Sequence, residues 1–191
     1  MTAMKIDKIS KAFGEKQVLR AFSADIAEGK ATAIMGPSGS GKTTLLRIIA
    51  GLEKADYGAV SFSGNDTVRM MFQEDRLLEY FSAADNIRFA CPGLSEQTIN
   101  DALKGVGLED TKGQPVSQFS GGMKRRTAFV RALLSKCDIL LLDEPFNGLD
   151  EKSRLLAVEF LKKHQNGRTV FMTTHRRDEA EMLEAKIIEL K

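Results

Sequence analysis

Cysteine is scarce in this chain of 191 residues: Cys91 and Cys137 are the only two, and they stand in different segments without metal-ligand spacing. That scarcity argues against a disulfide-stapled scaffold and fits reduced thiols, as in a cytosolic chain. An excess of one charge is also lacking, since 28 Lys and Arg against 26 Asp and Glu leave a net charge of +2. This is not the basic footprint of a nucleic-acid binder, and no nucleic-acid partner is expected. Long apolar runs are absent too. The longest strongly apolar stretch, Ile139 to Leu142, falls far short of the roughly 20 residues that a membrane-spanning helix needs, so work at a membrane requires another chain to cross it. The start, Met1 to Ser10, carries charge where a signal peptide needs an apolar stretch. No repeat, low-complexity tract or flexible linker is visible, and proline and glycine serve as punctuation. What is present, 42% hydrophobic residues, suffices for a sizeable core in one domain with a lobed insertion.

Periodicity divides the chain. Lys5 to Ile9 and Val18 to Ile26 alternate apolar with polar residues and are broken at Gly14 and Gly29, which predicts antiparallel strands. A short apolar run, Ala31 to Met35, precedes a helix from Thr44 to Ala50 that stops at Gly51. Ala59 to Phe62 and Val68 to Phe72 read as strands around the turn 63–66. Helices follow at Ser82 to Ala90, Ser95 to Val106 and Ser120 to Leu134. A buried strand from Asp138 to Asp143, a helix from Glu151 to Gln165, a strand from Thr169 to Thr174, a short helix and a strand from Lys186 to Leu190 complete the order. Strands alternating with helices predict a parallel sheet covered on its faces. The helical stretch, approximately 75–135, reads as an insertion into that sheet.

Between the strand at Ala31 and the helix at Thr44 lies Gly36-Pro37-Ser38-Gly39-Ser40-Gly41-Lys42-Thr43. Gly36, Gly41, Lys42 and Thr43 satisfy G-x-x-x-x-G-K-[ST], a loop whose backbone N–H groups wrap the phosphates of a nucleoside triphosphate. Glycines let the backbone approach closely, and the helix start favours anions. Lys42 is expected to reach the β- and γ-phosphates, and the Thr43 hydroxyl to ligate Mg²⁺. Thr44 continues the cradle. A second acidic site follows from the loop. The strand Ile139 to Asp143 ends in a carboxylate at the sheet edge, suited to hold Mg²⁺ through water. Glu144 is the candidate general base, because alternate strand residues face opposite ways and the two carboxylates need not compete for the metal. An ordinary strand-end turn with solvated acids is the bland alternative.

Ser120-Gly121-Gly122-Met123 opens a helix with a serine hydroxyl and exposed glycine N–H groups, a second anion-binding start. Followed by the acidic strand, this segment resembles the signature and Walker B strand of the ATP-binding cassette (ABC) family, and the resemblance covers essentially the whole chain. It implies an α/β fold: a RecA-like P-loop NTPase with a mostly parallel sheet, an antiparallel β subdomain and an inserted α-helical subdomain, all within one domain of residues 1–191. It also implies ATP and Mg²⁺ as ligands and ATP hydrolysis coupled to transport. Further positions fall in family order. Phe13 is either a core aromatic or the ring that stacks on adenine, where tyrosine is more usual. Gln73 is either a polar strand end or a contact to Mg²⁺ and the attacking water. His175 is either a capping histidine or the switch residue that bonds the γ-phosphate, and the second reading is favoured. His164 reads as solvated surface, and Lys124, Arg125 and Arg126 as the exposed face of the signature helix.

The resemblance further implies a head-to-tail dimer of two copies, in which Ser120, Gly121 and Gly122 of one meet the γ-phosphate bound by the other. The segment after Gln73 and Met123 in place of glutamine look most like importer ATPases for nitrate, sulfonate and taurine. Partners would then be an integral-membrane permease, docked on a groove to which Leu77, Leu78, Tyr80 and Phe81 contribute, and an external substrate-binding protein. The location would be cytoplasmic, at the inner face of the cell membrane. The chain's end soon after His175 implies no added regulatory domain. Two other classes remain open here. A soluble ABC ATPase acting on a non-membrane assembly shares every nucleotide motif, and a P-loop small-molecule kinase shares the loop and acidic strand but needs neither Ser120-Gly121-Gly122 nor His175.

Overall fold

Twelve residues, Thr2–Phe13, among which Met4, Ile6 and Ile9 are buried, form β1, which turns at Gly14 into β2, Lys16–Ala27. The two pair antiparallel from Thr2↔Ala27 to Phe13↔Lys16, with bulges near Ile6 and Ile9. The computed structural model describes residues 1–109, 111 and 113–190. Contacts divide the chain into two units: Met1–Met70 with Cys137–Glu144 and Asn166–Lys191, and Met71–Lys136 with Pro145–Gln165.

In the first unit, β3 (Ala31–Met35) leads into α1 (Lys42–Ile49), and β4 (Tyr57–Phe62) pairs antiparallel with β1, giving the order β2-β1-β4. β5 (Val68–Met71), β6 (Ile139–Asp143), β7 (Thr169–Thr173) and β8 (Lys186–Glu189) join β3 in a five-stranded sheet ordered β5-β6-β7-β3-β8. The pairings β6 with β7, β7 with β3 and β3 with β8 are parallel. Strands β4 and β5, adjacent in sequence, thus enter different sheets. Thr67 explains the divergence: its N–H and hydroxyl both donate to the Asp138 carboxylate, at 2.8 and 2.7 Å, and its carbonyl accepts from Asp138 N–H at 3.0 Å. The start of β5 is thereby fastened to the start of β6. Ile6, Leu19 and Ile26 pack with Leu45, Leu46, Leu141 and Phe171 in one core between the antiparallel sheet, α1 and the parallel sheet. Each such fully buried side chain contributes about 1.5–3 kcal/mol.

The second unit is helical: α2 (Ala83–Ala90), α3 (Glu96–Gly105), a 3-10 turn at Val116–Gln118, α4 (Gly121–Leu134) and α5 (Glu151–His164). Ile87, Ile99, Val130 and Leu161 are buried, and the rings of Phe129 and Phe146 lie 5.6 Å apart. Four helices close their own N-termini. Ser82, Ser95, Ser120 and Asp150 each accept a hydrogen bond from the backbone N–H three residues on. By contrast, α1 begins at Gly41, with no side-chain cap and no acid in its first turn. A short helix, α6 (Arg177–Met182), follows β7 in the first unit.

Candidate functional site

The loop of residues 36–43 springs from the carboxyl end of β3 and is shaped by glycines at close quarters. A Cβ on Gly36 would stand 2.4 Å from the Leu190 carbonyl, and one on Gly41 would stand 2.8 Å from Val18 Cγ1 and 2.9 Å from the Val18 carbonyl. Gly39 and Gly41 have φ of 81° and 95°, the left-handed region that glycine occupies freely. Ser40 N–H donates to the Pro37 carbonyl at 3.2 Å, while Ser40 Oγ, shut off from solvent, has no hydrogen-bond partner among the described residues. Lys42 is buried, and its ammonium donates to the carbonyls of Gly36 (2.9 Å) and Pro37 (3.1 Å), folding back over the loop. Burial lowers its pKa from the ordinary lysine value, and the carboxylates of Glu144 and Asp143 oppose that fall. An uncapped helix start, an orphaned hydroxyl and a cation held in the loop are the donor set that a polyphosphate requires.

Neighbouring strand ends supply the rest of this edge. Asp143 stands opposite Thr173 in the β6–β7 register, and Ile34 opposite Thr173 in the β3–β7 register. Three adjacent parallel strands therefore deliver the loop, the two acids and His175 at their carboxyl ends. Thr173 links them: its hydroxyl donates to Asp143 Oδ1 at 2.7 Å and accepts from Glu144 N–H at 2.9 Å. Asp143 is 1% exposed. Glu144 lies one residue past the strand with φ of 47°, so this left-handed turn, rather than strand alternation, separates it from Asp143. Its Oε1 lies 2.7 Å from His175 Nε2. Phe13 is 50% exposed at the end of the β1–β2 hairpin, with the Lys11 ammonium 5.1 Å from its ring centre, and is not a core aromatic. No group of three or more His, Cys, Asp or Glu is arranged to hold a metal among the described residues. Mg²⁺ is commonly held by one or two protein oxygens together with phosphates and water; the Thr43 hydroxyl and the Asp143 carboxylate are the candidates for that role.

Gln73 and the signature residues belong to the second unit. Gln73 is exposed just beyond β5. Ser120 Oγ accepts from Met123 N–H at 3.3 Å, which leaves its own hydrogen to donate, and Gly121 carries open space where a side chain would stand. The basic run that follows departs from expectation. Arg125 is 5% exposed rather than on a solvated face, and Arg126 is half-buried, donating to the carbonyls of Val106 (2.8 Å) and Gly107 (3.0 Å). The segments at 72–75 and 106–107 and the Pro145 carbonyl meet this side of α4, and the guanidinium groups find backbone carbonyls there. His164 is likewise not simply solvated: its ring stacks on Phe160 at 3.9 Å, and its Nδ1 lies 2.9 Å from the Phe160 carbonyl. Thr173 is a residue of this edge to which sequence reasoning gave no role. A threonine in register with the last acid of β6 was the one available signal.

Comparison with known proteins agrees with this geometry. The family model described as ABC transporter matches residues 19–147. The aliphatic sulfonates import ATP-binding protein SsuB 1 of Agrobacterium fabrum is 39% identical over 97% of this chain and 70% of its own length. The sulfate/thiosulfate import ATP-binding protein CysA of Vibrio cholerae is 37% identical over 97% of this chain and 55% of its own length. Among solved structures, a dimeric bacterial ABC transporter cassette superposes with a TM-score of 0.86 at 30% identity, covering 98% of this chain and 94% of that one. A motif set, a sheet order and a similarity that each run the length of the chain lead to one conclusion: this protein belongs to the ABC transporter family, as its ATP-binding cassette.

Proposed function

We propose that this chain is the ATPase of an importer, working as a head-to-tail dimer at the cytoplasmic face of a membrane beneath a permease fed by an external binding protein. The observation that carries the chemistry is the single sheet edge where Lys42, Asp143, Glu144 and His175 converge. Lys42 leaves the carbonyls of Gly36 and Pro37 for the β- and γ-phosphate oxygens, and the N–H groups of residues 39–44 close around them. Phe13 stacks on the adenine. Thr43 and Asp143, with Gln73 as a further ligand, would hold Mg²⁺, which would supply charge neutralisation for the phosphates. Glu144 orients and deprotonates the attacking water, and His175, already hydrogen-bonded to Glu144, holds the γ-phosphate side. Ser120, Gly121 and Gly122 complete the site of the opposite subunit by donating hydrogen bonds to its γ-phosphate.

The relatives named for sulfonate and sulfate import support the importer reading, and a dimeric cassette among the solved structures supports the assembly. An apolar surface on the second unit supports the permease: Tyr80 is 90% exposed and Phe89 70%, with Leu78 and Phe81 beside them and Leu77 half-buried. Asn86 holds this loop in place, accepting from Leu78 N–H at 2.7 Å and donating to the carbonyls of Leu78 and Ser82. The decisive experiment is Glu144→Gln with ATP and Mg²⁺. Turnover is expected to fall about 10²–10⁴-fold, while ATP binding persists and the dimer accumulates on gel filtration. Unchanged turnover removes Glu144 as base. Phosphate release without a phosphorylated acceptor separates the ATPase from a kinase, and co-purification with a membrane subunit separates the importer from a soluble ATPase.

A further inference from the structure

Arg125 is a buried cation on the signature helix, one turn inside its N-terminus. Backbone carbonyls are among its partners. Nη1 lies 2.9 Å from the Phe72 carbonyl, 2.8 Å from the Gln73 carbonyl and 3.1 Å from Asp75 Oδ1, and Nε donates to the Pro145 carbonyl at 3.2 Å. One rigid guanidinium thus ties three stretches that the reaction uses: the backbone of Gln73, the residue that follows Glu144, and the helix that begins at Ser120. A planar fork is suited to this, because its donors have fixed relative directions, whereas an ammonium is a single point. Carbonyls at 72 and 73 constrain the direction from which the Gln73 side chain leaves the chain. Asp75 keeps the charge of Arg125 compensated within the same loop.

We infer that Arg125 is a positioning residue for ATP hydrolysis: it fixes the Gln73 backbone against the signature helix, so that the Gln73 amide is held for the metal and the attacking water. This rests on the assignment of Gln73 made above. Arg125 touches no nucleotide in this scheme, so its removal acts on the rate of the chemical step and spares ATP affinity. A bond that holds the helix alone would show no dependence on Gln73.

The test is a double-mutant cycle of Arg125→Met and Gln73→Ala in the full chain, reading steady-state turnover, ATP affinity by fluorescence, and hydrogen exchange of the amides at 72–76. Misplacement on the ångström scale predicts that Arg125→Met alone lowers kcat about 10–100-fold. ATP affinity stays within about twofold, and on the Gln73→Ala background the same change lowers kcat by no more than about twofold. Exchange at 72–76 rises in both Arg125 variants. If Arg125→Met does not fold, Arg125→Lys, which keeps the charge and loses the fork, goes through the same cycle under the same criteria. Losses that multiply across the cycle, or weakened ATP binding with kcat intact, overturn the inference. Wild-type turnover in Gln73→Ala alone instead overturns the assignment of Gln73 itself.

Discussion

Two glycines of the phosphate loop share a left-handed backbone and differ in their surroundings, and that difference yields a quantitative prediction. Gly39 at φ of 81° has nothing within 4 Å of where a methyl group would stand, whereas Gly41 at φ of 95° would place one 2.8–2.9 Å from Val18 and Leu19. Alanine at either position incurs the left-handed penalty of about 1–2 kcal/mol. At Gly41 it also meets the Val18 carbonyl, part of strand β2 and unable to rotate away like a side chain, which adds overpacking of about 1–3 kcal/mol. For a chain of this size 1 kcal/mol corresponds to about 2–4 °C in Tm. Gly39→Ala is therefore expected to melt about 2–8 °C below the wild type, and Gly41→Ala a further 2–12 °C or so below that. Calorimetry without nucleotide reads the comparison free of any binding effect. If Gly41→Ala melts at or above Gly39→Ala, the contact between the loop and β2 is looser than these distances imply.

His175→Ala is expected to lower turnover about 10²-fold and leave ATP affinity intact, read by phosphate release and fluorescence titration; equal loss in both would place His175 in binding rather than in the reaction. Ser120→Ala removes the cap of α4, a loss of about 1 kcal/mol, and weakens ATP-driven dimerisation of Glu144→Gln while each subunit still binds nucleotide, as analytical ultracentrifugation would show. Asp150 is held below the usual carboxylate value of 3.8, chiefly by the Ser153 N–H and then by the Ser153 hydroxyl. Its depressed folded pKa means that its contribution is present above 3.8 and fades as pH falls through the folded value. The Tm difference between wild type and Asp150→Ala should accordingly be largest near neutrality and close in acid; a gap that widens in acid contradicts the cap.

Local chemistry was legible in the sequence wherever a motif and its structural consequence lie within a few residues. The strand, glycine turn and helix around Lys42 are of this kind, as are the serines that begin α2, α3 and α4. Partners far apart in the chain left no such trace. That β4 and β5 enter different sheets depends on Thr67 meeting Asp138, and nothing between the two positions encodes it. Arg125 reads as exposed because charge ordinarily marks a solvated face, yet beside the Asp75 carboxylate it meets main-chain carbonyls, which carry no side-chain identity to recognise. The separation of Asp143 from Glu144 was expected from strand alternation; the strand ends one residue too early for that, and a glutamate in the left-handed region turns the chain instead.

A helix that supplies its own N-terminal acceptor is complete once the chain has folded. Helix α1 differs from α2, α3, α4 and α5 in this respect, beginning on a glycine with no acid in its first turn. In the function proposed above, phosphate oxygens of the nucleotide are the acceptors for its first amides, and nucleotide arrival would be, for residues 42–44, the last step of folding. Occupancy of the site is then written in the backbone itself: slowed deuterium uptake at those three amides would report bound phosphate directly, with no label on the nucleotide and no need for turnover.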